Sequence, residues 1–551
     1  MTVEGLYRIF AQATEGVIIL ERRLFFRRKN GAPNGEPLWR KWLPAGVLML
    51  VALLIRLPWL WEVPRFIDEL REVELGFKIY KLQALALHNV AHDIGAFYNY
   101  ILAALFASFG PNIYWPRLFI ALTSSVTVWL LYRLGRELYG RAAGWLAAGL
   151  LLTNGMQILV THMAWANCAT PFFFSLALLG TVRAEQQRNG QALFGVGLLW
   201  GLTLQTHSSV AVYMVTLAAY YGWREWRGPK LFSQRDYLRA IWGFGLGYCN
   251  MILYNLITVG GSLRWLHNKG YTLEQHPGLF SYFKNLGALV TELLRTLASS
   301  YAGHRFFWEY LNEPFFLICL VALGAGLYFA CRDRQTLPVW LLAGGALTIP
   351  WLNHRYDFYI ATRYIVPLVL CAMLLIGHGL VRGAGVVCRR APALGRLKAG
   401  AVLVWLVLIA LPLAPLYQYC ADRAATDMSN RLSFEIVKTA QALARQSPLL
   451  VLLDARMGIE NDPLPTLFTI SGLAYQSFNT PDRPLQRNNW RKFMREQANR
   501  RILAVLAEPA FHKLRTLVPL TVLRRFRIRQ LLGTPANRRV YEVYYLATLR
   551  K

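Results

Sequence analysis

Between residues 42 and 419 the chain is a succession of apolar runs, many about as long as a helix needs to cross a membrane. A hydrocarbon core of about 30 Å takes roughly 20 apolar residues in a helix, whose backbone N–H and C=O groups are all paired within the segment. The runs fall at 42–61, 116–134, 142–160, 168–182, 191–205, 207–223, 240–259, 314–331, 336–351, 364–381 and 399–419, and a further run at 94–110 decides the topology. Hydrophobic residues make up 55% of the chain and charged residues 16%, against about 25% charge in soluble domains. That balance excludes a disordered chain, a collagen and an ordinary cytosolic enzyme. A mean hydropathy of +0.30 is modest for a bare bundle, so a polar portion accompanies the apolar one. The expected fold class is a polytopic α-helical membrane protein, with about eleven transmembrane helices and a small C-terminal α/β soluble domain.

Basic residues set the orientation. If 94–110 lies at the interface instead of spanning, the connections on one side hold Arg133, Arg136, Arg141, Arg183, Arg188, Arg224, Arg227, Lys230, Arg235, Arg239, Arg332, Arg334, Arg382, Arg389, Arg390, Arg396 and Lys398. The short connections on the other side (161–167, 206 and 352–362) hold only Arg355. Lys and Arg accumulate on the cytoplasmic side. The segment 1–41, with Arg22, Arg23, Arg27, Arg28 and Lys29, is therefore expected inside, and the C-terminal portion outside, in the periplasm or beyond the cell. No cleavable signal peptide is expected, because a long polar and basic stretch precedes the first run. The net charge of +30 is spread in clusters between apolar runs, so membrane lipid is an expected partner and nucleic acid is not. The seven cysteines form no C-x-x-C pair and mostly lie in apolar runs, which suits small core residues.

The chain divides into a cytoplasmic segment 1–41, a transmembrane domain 42–419 and an external module 420–551. Two outer connections, 62–115 and 260–313, are too long for plain loops. In 282–298, Leu286, Leu289, Val290, Leu293 and Leu294 recur at helical spacing, so helices along the outer leaflet are expected there. In the external module 432–444 reads as an amphipathic helix and 491–500 as a second helix. The segments 449–454 (LLVLLD), 502–507 and 540–546 read as strands. No Gly-rich turn follows these strands, so no dinucleotide site is expected. The basic stretch 524–529 (RRFRIR) is expected to face anionic headgroups. Gly243, Gly245 and Gly247 inside one run suit close helix packing.

The first outer connection opens with Pro64-Arg65-Phe66-Ile67-Asp68-Glu69-Leu70-Arg71-Glu72. Two adjacent carboxylates and an arginine so close to a span are costly and therefore often functional; a solvated interfacial helix with Arg71 paired to a carboxylate is the plainer alternative. The segment HDIGAFYNYILAALFASFG follows at 92–110, then an RLFIAL start at Arg117 leading to VWLLYRLGRELYGR, and RYIVPL from Arg363. In that order the chain resembles the GT-C membrane glycosyltransferases that take sugar from a polyprenyl phosphate, the protein O-mannosyltransferases and lipid A aminoarabinose transferases above all. The resemblance is good across 42–188, looser to Tyr419, and covers the external module by architecture only.

The resemblance implies a polyprenyl-phosphate sugar donor, an unnamed lipid, glycan or protein acceptor, and transfer at the external face. It places Asp68 at the reaction centre with Glu69 as its acidic neighbour, and Arg71 on the donor phosphate. His92 and Asp93 stand where the family often carries a basic or polar pair. Asn167 stands where a second aspartate is frequent and His162 where arginine is common, which weighs against a metal held between two carboxylates. No cofactor is called for, and a divalent cation is left open. The chemistry is consistent: a carboxylate takes the proton of an acceptor hydroxyl, and a guanidinium fork matches phosphate oxygens. Arg305 with His304, Arg355 with His354, and Arg363 are further outer-face candidates for the phosphate. His267, His276 and His304 are too far apart for a metal site. The competing readings are a transporter or flippase, which should show paired repeats and broken helices, and a non-catalytic lipid-binding subunit on the same scaffold.

Overall fold

The computed structural model describes residues 38–61, 63, 67–268, 278–300, 307–352, 365–390, 412–426, 429–454, 464–478, 492–493, 495–497, 499–531 and 539–549. The chain divides into two compact units. The first comprises Met1–Pro58, Ala86–Tyr98 and Leu118–Tyr417; the second comprises Trp59–Leu85, Asn99–Arg117 and Gln418–Lys551.

The first unit is helical. Among the described residues three helices are long and apolar enough to cross a membrane singly: Tyr114–Tyr139, Pro314–Arg332 and Val366–Val387. Two bent pairs, Arg141–Thr153 with Gly155–Thr161 and Gln234–Gly247 with Cys249–Ile257, raise the number to five if each is one span. Leu43–Arg56, Ala192–Thr206 and Leu337–Leu352 are shorter apolar helices, and Thr170–Gln186 and Val210–Arg227 fill two more of the runs. Most of the run 399–419 lies outside the described residues. The helix Phe97–Phe109, in the run 94–110, has 13 residues; at about 1.5 Å per residue it is too short to span.

Both bends have chemical causes. At the first, 59° in size, Asn154 leaves the helical region (φ −64°, ψ 108°) and its Oδ1 caps the next helix by accepting from the Gln157 N–H at 3.0 Å. Asn154 Nδ2 donates to Thr296 O at 2.7 Å, and the Gly155 N–H donates to Ser299 Oγ at 3.0 Å. The carbonyls freed at the end of Arg141–Thr153 are taken by Arg56. Its guanidinium is fully buried and donates to Leu151 O and Leu152 O at 3.3 Å, to Ala52 O at 3.0 Å and to Ser124 Oγ at 2.9 Å. Arg56 thus satisfies orphan carbonyls at the C-terminus of Arg141–Thr153 and places its cation at the C-terminal end of its own helix, where a cation is favoured. At the second bend, of 70°, Gln205 Nε2 donates to Gly247 O at 2.6 Å, and Gln205 Oε1 accepts from Asn250 Nδ2 at 3.0 Å and from the Phe97 N–H at 3.1 Å.

Ala192–Thr206 and Gln234–Gly247 pack backbone to backbone. A Cβ on Gly197 would stand 2.0 Å from Ala240 O, one on Gly243 2.0 Å from Phe194 O and one on Gly247 2.4 Å from Leu198 O, so Gly243 and Gly247 serve the expected packing, whereas Gly245 has open space around its Cβ position. The helix Leu279–Ala298 differs from the expected surface helix. Leu289, Leu293, Leu294 and Leu297 are buried in the main helical core, while Leu279, Phe280 and Phe283 at its start are exposed.

The second unit carries a five-stranded sheet in the order β2-β1-β3-β5-β4. Its strands are β1 (Leu449–Asp454), β2 (Tyr475–Phe478), β3 (Arg501–Ala507), β4 (Leu520–Leu531) and β5 (Arg539–Leu549). β1 pairs in parallel with β2 and β3; β5 pairs antiparallel with β3 and β4. The central strands β1 and β3 read as unbroken apolar runs because helices and sheet cover both faces. Phe511 stacks on Tyr545 at 3.8 Å within this core. The basic stretch expected to face headgroups is part of the edge strand β4. There Arg524 pairs with Glu435 at 2.9 Å and Arg525 lies 3.8 Å from Glu508; charged edges also discourage pairing with other chains. The helix Ile67–Tyr80 of the first outer connection packs in the same unit against Leu464–Ile470.

Candidate functional site

Ile67–Tyr80 is amphipathic. Glu69, Leu70, Glu72, Val73 and Phe77 are buried, whereas Asp68, Arg71 and Lys78 are exposed. Asp68 and Arg71 stand one turn apart on the exposed face, within reach of a common ligand. Neither has a hydrogen bond or ion pair to another side chain among the described residues, so Arg71 is not spent on a neighbouring carboxylate. Asp68 lies in the first helical turn, where the helix dipole favours an anion.

Glu69 has a different setting from its neighbour. It is not beside Asp68 on the accessible face but fully buried, at 0% exposure, against the equally buried Arg117. The pair is bidentate, Arg117 Nε to Glu69 Oε1 at 2.8 Å and Arg117 Nη2 to Glu69 Oε2 at 3.0 Å. Arg117 Nη1 also donates to Leu60 O at 2.8 Å and Val63 O at 2.7 Å. Glu69 is therefore a brace: it fixes the guanidinium that holds the chain entering the helix. Arg117 was visible in the sequence only as the start of an apolar run, 48 residues away from its partner.

His92 and Asp93 lie in the first unit, in a segment clamped from several sides. His92 Nδ1 is 2.9 Å from Tyr254 Oη, its ring stacks on Trp265 at 4.3 Å and lies 4.1 Å from His88, and His92 O accepts from Ser262 Oγ at 2.9 Å. Asp93 Oδ2 accepts from Ser208 Oγ at 2.8 Å. The structure thus brings His92 and Asp93 together with Tyr254, Trp265 and Ser208, residues the sequence did not single out. His162 is buried at 1% exposure, with Nδ1 and Nε2 each 2.8 Å from a carbonyl oxygen, of Ile158 and Pro58 respectively. Asn167 is buried in the turn Ala166–Ala169, its Oδ1 3.7 Å from Cys168 Sγ. His162 and Asn167 are interior ties of the first unit. His304, Arg305, His354, Arg355 and Arg363 lie outside the described residues. Among the described residues no three His, Cys, Asp or Glu side chains come together in a group able to hold a metal ion.

Comparison with known proteins bears on the scaffold. Residues 94–246 match the family model of dolichyl-phosphate-mannose-protein mannosyltransferase. The chain is 27% identical over 351 residues to the undecaprenyl phosphate-alpha-4-amino-4-deoxy-L-arabinose arabinosyl transferase of Pseudomonas aeruginosa (strain LESB58). That match takes in 61% of this chain and spans 58% of the relative, less than two thirds of its length. Among solved structures, ArnT from Cupriavidus metallidurans bound to undecaprenyl phosphate superposes with a TM-score of 0.57 at 13% identity, covering 92% of this chain and 98% of that one. Its apo state gives a TM-score of 0.51, with 93% and 98% covered.

Proposed function

The chain has the fold of the GT-C membrane glycosyltransferases, and from that premise we propose that it transfers a sugar from a polyprenyl-phosphate donor to an acceptor hydroxyl at the external face of the membrane. The matched relative is named for transfer from an undecaprenyl phosphate donor, and the solved relative binds undecaprenyl phosphate, which supports the donor class. The observation that carries the reading is the exposed pair Asp68 and Arg71, one turn apart, on a helix whose neighbouring carboxylate is locked inside. In the proposed reaction the acceptor oxygen attacks the anomeric carbon, the bond from that carbon to the phosphate oxygen breaks, and Asp68 takes the hydroxyl proton. Arg71 balances charge on the departing polyprenyl phosphate. Attack from the side opposite the phosphate inverts the anomeric configuration. Arg305, Arg355 and Arg363 are proposed as further phosphate contacts, and His92, Asp93, His162 and Asn167 as residues that shape the surroundings. The cytoplasmic N-terminus and external C-terminal module belong to the same proposal, supported by the distribution of basic residues.

The test uses the full-length protein in vesicles with a polyprenyl-phosphate donor labelled in its sugar. Release of free polyprenyl phosphate together with label in a lipid, glycan or protein fraction supports the proposal. Movement of intact donor between leaflets would mark a flippase. Binding of donor without any turnover would mark a non-catalytic subunit. Either of the last two outcomes overturns the transferase reading.

A further inference from the structure

The helix Ile67–Tyr80 is closed by a residue type that the local geometry disfavours. The Leu82 N–H donates to Ile79 O and the Gln83 N–H to Lys78 O, both at 2.9 Å, the paired bonds of a Schellman close. Leu82 occupies its left-handed position, with φ +57°. Glycine is usual there because a Cβ is crowded against the backbone. A strained leucine is ordinarily compensated by packing, yet Leu82 is 93% exposed and Leu85, three residues on, is 87% exposed.

The base beneath this pair is firmly built. Phe77 and Tyr80 meet Phe106 edge-on at 6.3 and 6.4 Å. A Cβ on Gly76 would stand 2.8 Å from Leu102 Cβ, so the helices touch closely. Two cations rim the pair. Lys81 Nζ lies over the Phe77 and Tyr80 rings, 5.7 and 5.1 Å from their centroids, and Lys78 Nζ is 2.8 Å from Glu74. The tip follows the apolar helix Leu38–Arg56 by about two dozen residues, so it is tethered near a bilayer.

We propose that Leu82 and Leu85 form a lipid-inserting tip, which enters the boundary between headgroups and acyl chains of the adjoining leaflet while Lys78 and Lys81 meet anionic headgroups. Strain and exposure point the same way. A rigid backbone holds two large apolar side chains out where water would penalise them, and an apolar phase is what receives them. Lysines with long stems fit the rim of such a site, their ammonium groups at headgroup level. The inference is independent of glycosyl transfer.

The experiment uses the full-length chain with its seven native cysteines replaced, reconstituted in phosphatidylcholine vesicles with or without phosphatidylglycerol. Leu82→Cys carries an environment-sensitive fluorophore, and Thr516→Cys, exposed in the same unit, serves as the control. The expected result is quenching at position 82 by lipids with a nitroxide high on the acyl chain and little by aqueous iodide, with the reverse at 516. Phosphatidylglycerol should strengthen the lipid quenching, and Lys78→Gln with Lys81→Gln should remove that gain. Leu82→Gly suits the left-handed backbone and should keep the fold, yet lower lipid quenching of a label at Leu85→Cys at least two-fold. Iodide quenching without lipid quenching, protection from both quenchers, or no effect of Leu82→Gly on the Leu85 label would each overturn the proposal.

Discussion

Replacing Glu69 by Gln separates a reacting carboxylate from a brace. The substitution keeps the shape but removes the charge facing Arg117, which is buried at 0% exposure and keeps its two carbonyl acceptors, Leu60 O and Val63 O. One of the two bonds keeps its cationic donor but loses the charge on its acceptor, and the other places an amide N–H₂ against a guanidinium N–H. Breaking a buried pair by removing one partner costs about 3–5 kcal/mol. With one acceptor retained we expect the lower end, about 3 kcal/mol, or roughly 3 °C in the unfolding midpoint at about 1 °C per kcal/mol for a chain of this length. The assay is thermal unfolding of the purified protein in detergent, followed by tryptophan fluorescence, with Asp68→Asn alongside; exposed Asp68 should leave the midpoint within about 0.5 °C, as a surface change within about 0.5 kcal/mol does. Glu69→Met combined with Arg117→Met should recover part of the loss, because no charge is then stranded, although Leu60 O and Val63 O lose their donor. A Glu69→Gln protein as stable as wild type but without turnover would refute the brace and return Glu69 to the reacting atoms.

Three further outcomes follow from the same geometry. Arg71→Ala should weaken binding of polyprenyl phosphate about ten-fold or more, since a charge-assisted contact is worth about 1.5–3 kcal/mol; Arg136→Ala, whose guanidinium lies 3.2 Å from Glu137 Oε1, should not, and equilibrium donor binding measures both. Arg56→Met should destabilise the protein by about 2–4 kcal/mol, because the Leu151 and Leu152 carbonyls and the Ser124 hydroxyl lose their donor; Arg56→Lys should restore part of this, as read by unfolding midpoints. Cysteine labelling in intact cells should find 183–190 and 382–398 protected from an impermeant reagent and residues beyond 421 accessible, and the opposite pattern would reverse the proposed orientation.

The sequence made the helical class and much of the sheet readable, for physical reasons that stop at tertiary contact. β1 occurs at 449–454 as its apolar run implies, β3 extends the expected strand by one residue and β5 by four, because buried strands carry continuous hydrophobicity. β4 escaped because Arg524, Arg525, Arg527 and Arg529 disguise an edge strand as a charged surface. The bend after Thr153 had a signal, Asn154-Gly155 inside an apolar run, a turn dipeptide that outweighs hydropathy where other side chains take up the freed backbone groups. The site was half legible. Adjacent Asp68 and Glu69 look equivalent in sequence, and only the helix phase set by the buried residues Leu70, Val73 and Phe77 puts one outside and the other against Arg117. The membership of 59–85 and 99–117 in the unit of the C-terminal sheet was not legible, because neither segment's composition records its partner.

The central claim is that Asp68 is the base for glycosyl transfer, and the most direct measurement is turnover of a labelled polyprenyl-phosphate sugar by purified Asp68→Asn. Asn keeps the size of the side chain and removes the proton acceptor at an exposed position, so donor affinity and unfolding midpoint should stay near wild type. The rate of sugar transfer should fall by about 10²–10⁴. Wild-type turnover by Asp68→Asn, with donor bound as before, would contradict the assignment.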